Sequence, residues 1–229
     1  MEKKEFYQGI KDTLPIMLGV VPFGLAYGTV AQATGLGAGE TIVMSLLVFA
    51  GAAQFVSLPM FAAGEGMMMI GFTVLLINLR HLLMGASLSP YMARLPASLK
   101  ALLCFGMADE TYVVTINHAQ SAGYSAGYQL GSNAVAYVTW AFSTIAGVIL
   151  GSRIHDPLSW GVDFAMPATF LALLIPRLID KISLTIGLVA AVVSVVASVT
   201  LPGKWYIIIA CLAAVAISGL WERGRKDEI

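Results

Sequence analysis

Arg80 and His81 stand about halfway along an apolar run that extends from Met67 to Met92, and this restricts the chain more than any other feature. An arginine near the centre of a bilayer costs about 2.5–3.5 kcal/mol. Such residues normally face the interior of a helix bundle or an aqueous cavity, where they mark a substrate, ion or proton path. The alternatives are snorkelling to an interface or a structural ion pair. Only a membrane fold makes the question arise, and composition supports one: 58% of the residues are hydrophobic and 11% charged, against about 25% charged in soluble domains.

Apolar stretches of about 20 residues, the length that crosses a bilayer, occur near 13–33, 41–62, 67–92, 98–118, 128–150, 161–179, 183–201 and 204–221. The expected fold is therefore an all-α integral membrane protein of about eight transmembrane helices, in one domain covering residues 1–229. Lys3 and Lys4 ahead of an apolar tract resemble a signal peptide, but Asp12, Pro15 and Pro22 interrupt the tract, so it is read as the first span. With the N-terminus inside, the inner side holds Lys3, Lys4, Lys11, Arg177, Lys181, Arg223, Arg225 and Lys226. The outer side then holds Arg94, Lys100, Arg153 and Lys204. If 98–118 did not cross, the bias would reverse, so the positive-inside rule favours eight spans with both termini inside. Trp160, Trp205, Tyr206 and Trp221 fall at span ends, where amphipathic rings prefer the headgroup region.

Small residues recur at helical spacing in Gly24-xxx-Gly28 and Ser143-xxx-Gly147-xxx-Gly151, a pattern that lets helix backbones approach closely in lipid. Close packing explains it fully. Four further features ask for more. Pro22, between Gly19 and Gly24, removes a backbone hydrogen bond and kinks or opens the first span. Gln54 lies deep in the second span among small residues, placed for a ligand or for an interhelical hydrogen bond. Asp109 and Glu110, just after Gly106, split the fourth span into two short apolar pieces. Half-helix ends of that kind are where secondary transporters hold their ligands. In the sixth span, Phe164-Ala165 before Pro167 faintly echoes Phe49-Ala50 before Pro59, which an inverted repeat would account for.

Equal numbers of basic and acidic residues, 13 each, leave no surplus for nucleic acid. Cys104 and Cys211 lie in apolar segments without a metal-type spacing and read as small hydrophobes. HExxH and GxSxG are missing, so an intramembrane enzyme built on His81 with Ser87, or on the two acids, has little support.

The same segments resemble the AzlC family: Thr13–Ile16, Ala50-Gly-Ala-Ala-Gln-Phe-Val56, Arg80-His81 with Gly85 and Leu88, Phe105-Gly-Met-Ala-Asp-Glu110, and Met166-Pro-Ala-Thr-Phe170. They occur in order over nearly the whole chain. The resemblance implies a bacterial cytoplasmic-membrane exporter of leucine, isoleucine, valine and sometimes methionine, working with a small membrane partner of the AzlD type. It implies secondary transport with no nucleotide-binding domain, and no cofactor is expected. Other readings are a transporter or channel for another small amphipathic solute, or an assembly subunit that transports nothing.

A zwitterion held out of water needs an anion partner, a cation partner and an apolar socket. Arg80 or a half-helix N-terminus suits the carboxylate, and Asp109 or Glu110 suits the ammonium. Leu, Met and Phe side chains accept an aliphatic group at about 0.8 kcal/mol per buried CH₂. The expected substrate contacts are Arg80, Asn78, Gln54, Asp109, Glu110 and Pro22, and no metal site is expected. Arg80 is expected to face the two acids and to neutralise one of them. The second, beside a like charge and partly removed from water, would bind a proton readily, which makes Asp109, Glu110 and His81 the expected proton-coupling groups.

Overall fold

The computed structural model describes residues 2–153, 171, 174–175, 178–201 and 205–226. Among these the chain forms α1 Glu2–Ala33, α2 Ala38–Val48, α3 Gly51–Ala62, α4 Met67–Met92, α5 Ala97–Phe105, α6 Asp109–Ala122, α7 Ala126–Gly151, α8 Lys181–Thr200 and α9 Trp205–Lys226, with no strand. Helices α1, α4, α7 and α8 are each long and apolar enough to cross a membrane. The chain is an all-α membrane protein. Most of the expected 161–179 span, including the Phe164-Ala165 echo, lies outside the described residues.

Two compact bodies emerge. One comprises Met1–Glu65 and Ile77–Met166, the other Gly66–Leu76 and Pro167–Ile229. In the second, α8 packs on α9, and both direct large apolar side chains such as Val192, Val196 and Val215 outward. That distribution suits a lipid solvent.

The first body is built on α1 against α7. They run parallel, since Thr13 meets Ser132, Gly24 meets Ser143 and Thr29 meets Gly147 along the pair. Their glycines interlock reciprocally. A side chain at Gly28 would strike the Thr144 carbonyl, and one at Gly147 the Leu25 carbonyl. At the other end Gly9 abuts the Tyr128 carbonyl and Gly131 the Phe6 carbonyl. Each contact has a mate with the two helices exchanged. The relation between α1 and α7 is thus a local two-fold along the helix axes, of parallel rather than inverted sense.

Two sequence expectations need correction here. Pro22 does not open α1, which runs unbroken through Pro15 and Pro22, and the ring of Pro22 is exposed. The helix that carries the expected 13–33 stretch extends back to Glu2 through a charged first segment. The 41–62 segment, read as one helix, breaks instead at Phe49 and Ala50. Phe49 is left-handed, with φ 41° and ψ 45°, and Ala50 also leaves the helical region, with φ −140° and ψ 85°. A non-glycine residue in that region costs on the order of 1–3 kcal/mol and persists only where its surroundings impose it. The expected break in 98–118 is present, at Gly106–Ala108.

Candidate substrate site

Each broken span leaves unpaired carbonyls at the end of its first half and unpaired N–H groups at the start of its second. In hydrocarbon such groups must find partners within the protein. Partners for carbonyls of both first halves, and for polar side chains beside the α2–α3 break, come from one stripe of α7 at helical spacing: Gln129, Asn133, Tyr137, Trp140 and Thr144. Asn133 Nδ2 donates to the Leu103 carbonyl of α5 at 2.8 Å, with Gln129 Nε2 on the same oxygen at 3.5 Å. The Tyr137 hydroxyl donates to the Leu46 carbonyl of α2 at 2.9 Å. Trp140 Nε1 donates to Gln54 Oε1 at 3.1 Å, and Thr144 shares a 2.8 Å bond with Ser45. The Tyr137 ring touches both breaks, with centroids 5.0 Å from Phe49 and 6.1 Å from Phe105. No expectation from the sequence included this stripe. Polar residues every three or four positions in an otherwise apolar helix were the available signal.

At the α5–α6 break, Gly106 lets α7 come close, since a Cβ there would sit 3.0 Å from Asn133 Cβ. The Ala108 N–H donates to Thr111 Oγ1 at 2.9 Å, closing the amino end of α6. Asp109 and Glu110 occupy its first turn, where the helix dipole favours negative charge. A cluster of Leu88, Met92, Leu103 and Met107 clamps the second half of α4 against α5. A 2.9 Å bond from the Tyr112 hydroxyl to Ser87 ties it to α6. That packing brings Arg80 Nη1 to 2.6 Å from Asp109 Oδ2, as expected from charge neutralisation. The pair is partly open, at 35% and 22% side-chain exposure, so it is within reach of a solute or water. Glu110 is half-buried beside it. Arg80 Nε, Asn78 Oδ1 and His81 Nδ1 are buried and make no hydrogen bond of ordinary length. Four of the expected residues, Asn78, Arg80, Asp109 and Glu110, thus lie on α4 and at the start of α6, with His81 adjoining.

Gln54 belongs to the other break, fully buried in α3 with Phe55 behind it. Tyr27 stacks on Trp140 at 6.1 Å and meets Phe55 edge-on at 5.8 Å, so α1 supplies the outer wall. Pro22 sits at neither break.

Paired broken helices bridged by one helix, with an arginine–carboxylate pair at one break, define a polytopic membrane protein organised around intramembrane half-helix ends. The AzlC protein family matches residues 15–154. A relative from Escherichia coli, "Inner membrane protein YgaZ", is 32% identical over 98% of this chain and 94% of its own length. "Branched-chain amino acid transport protein AzlC" from Bacillus subtilis is 29% identical over 93% of this chain and 83% of its own length. An uncharacterized membrane protein of Archaeoglobus fulgidus is 30% identical over 76% of each chain. No solved structure matches. The chain belongs to the AzlC family.

Proposed function

We propose that this protein is a secondary transporter that exports branched-chain amino acids, leucine, isoleucine, valine and also methionine, across the bacterial cytoplasmic membrane. Both termini are cytoplasmic, and export is coupled to inward proton movement and carried out with a small AzlD-type membrane subunit. The observation that carries the reading is the partly open Arg80–Asp109 pair at the break between α5 and α6, with Glu110 beside it. Two adjacent carboxylates at the amino end of a half-helix within an apolar segment suit an ammonium group or a proton. The name of the Bacillus subtilis relative supports the substrate class. Aliphatic specificity resting on apolar contact discriminates by only about 1–3 kcal/mol per methylene, consistent with a group of related substrates.

The test is transport in proteoliposomes, with and without the small subunit, over a panel of amino acids. Substrate-driven proton flux is followed for the wild type, Asp109→Asn and Glu110→Gln. At least one variant loses proton coupling while still inserting. Wild-type coupling in both removes the mechanism, and flux without counterflow makes the protein a channel.

A further inference from the structure

The end of α6 remote from Asp109 is fastened by a cluster of titratable groups that the substrate site does not use. His118 lies about 13 Å along the helix from Asp109. Its Nε2 is 3.1 Å from Glu5 Oε2 of α1. Its ring lies flat on the Tyr128 ring of α7, with centroids 3.7 Å apart and planes within 6° of parallel. Tyr128 is itself held in place. Its hydroxyl donates to Asp12 Oδ2 at 2.8 Å, its carbonyl abuts Gly9, and its side chain is buried. Gln8 Nε2 donates to the other Asp12 oxygen at 2.7 Å.

The titratable groups that face the imidazole are therefore Glu5 from α1 and Tyr128 from α7, with Asp12 of α1 behind the phenol. Val113–Ala122 of α6 includes no other titratable side chain. Among the described residues no lysine or arginine pairs with Glu5 or Asp12. A protonated ring makes an ion pair with Glu5 at its edge and a cation–π contact with Tyr128 on its face. A neutral ring keeps only a hydrogen bond and a stack. The contact is open to water, since the Glu5 side chain is 38% exposed and belongs to the charged first segment of α1.

The start of α6 is tied to α4, through Asp109 with Arg80 and Tyr112 with Ser87. Toward its other end His118 ties it to α1. Beyond that end Gly123 has φ 93° and ψ 153°, a conformation essentially restricted to glycine, so α7 does not continue α6 as one rigid rod. We infer that His118, Glu5 and Tyr128 form a pH-sensitive clasp that holds the end of α6 on α1 and α7 when the imidazole is protonated and loosens when it is neutral. Histidine changes charge between about pH 5 and 8, so the ion pair is present at the acid end of that window and is lost as pH rises through it. His118 is then a positioning residue, acting through the helix whose first turn carries Asp109 and Glu110. The clasp holds whatever the protein carries; only its bearing on transport rests on the function proposed above.

The test is hydrogen exchange of the purified full-length protein in nanodiscs between pH 5.5 and 8.0, with each rate corrected for intrinsic exchange at that pH. No substrate is needed, so failure here is separate from failure of the transport reading. In the wild type, protection of residues 113–122 falls about fivefold as pH rises, the difference between a partly open ion pair with its cation–π contact and a neutral pair. Glu5→Gln removes the anion, and His118→Gln keeps a hydrogen-bonding side chain that cannot titrate. In both, the change is less than twofold. His81 and His155 remain in each variant, so a dependence that they cause would survive. A wild-type change below twofold overturns the clasp, as does a rise in protection with pH or a dependence that persists in either variant. Should one variant fail to insert, the other decides.

Discussion

Gly19 and Gly28 lie on the same helix, and substitution by alanine has opposite consequences at the two positions. Gly19 is exposed with nothing within 4 Å of a would-be Cβ, so Gly19→Ala adds only helix propensity, a gain of about 0.5–1 kcal/mol. At Gly28 the same methyl meets the Thr144 carbonyl, with Val148 N at 2.7 Å and the Gly147 carbonyl carbon at 2.9 Å. Unstrained contacts of this kind need about 3.5 Å, so α1 and α7 must part by about 1 Å. A gap of that size forfeits a quarter to a half of each dispersion contact along the seam. Overpacking costs about 1–3 kcal/mol, and the propensity gain offsets only part of it. Gly28→Ala is therefore destabilising by about 1–2 kcal/mol. Gly147→Ala behaves likewise, because its methyl meets the Leu25 carbonyl across the same seam. The double variant costs less than the sum, since the first separation relieves part of the second clash. Thermal unfolding of the purified variants in one detergent, followed by tryptophan fluorescence, gives the order Gly19→Ala above wild type above Gly28→Ala. Equal or additive shifts at all three positions would refute the reciprocal parallel packing.

Two further outcomes follow from single contacts. A double-mutant cycle of Arg80→Gln with Asp109→Asn gives a coupling of about 1 kcal/mol in unfolding experiments. This is the range of partly solvated pairs rather than the 3–5 kcal/mol of buried ones, because both side chains are partly open; zero coupling would show that the pair is not formed. At the start of α8, Asp180 Oδ1 accepts the Ser183 N–H at 2.7 Å, and hydrogen bonds from Ser183 hold the carboxyl below its usual range. A depressed value means that the cap is fully present at neutral pH and fades as pH falls through that value. Hydrogen-exchange protection of the first turn of α8 drops in acid for the wild type and at all pH values for Asp180→Ala. Asp180→Asn keeps the cap without the acid dependence.

Apolar runs interrupted by charge were enough, without coordinates, to establish an all-helical membrane chain and to place α4, α7 and α8 to within a few residues. They also placed the break before Asp109, because two adjacent carboxylates cannot continue an apolar helix through lipid without a change in the backbone. That Arg80 would pair with one of the two acids followed from the same cost of unpaired charge, and the structure makes that acid Asp109. The break at Phe49 did not follow from sequence. Ala50-Gly-Ala-Ala53 is as compatible with a continuous apolar helix as with an interrupted one. The choice is made by Tyr137, which takes the Leu46 carbonyl from a position 91 residues later. Local pattern also left Pro22 open between a kink and an unwound site, whereas α1, packed along α7, continues through it. The stripe Gln129, Asn133, Tyr137, Trp140 and Thr144 has no function legible within α7 alone. Each polar group acquires its meaning from an unpaired backbone or side-chain group on another helix, and only the tertiary structure places them face to face.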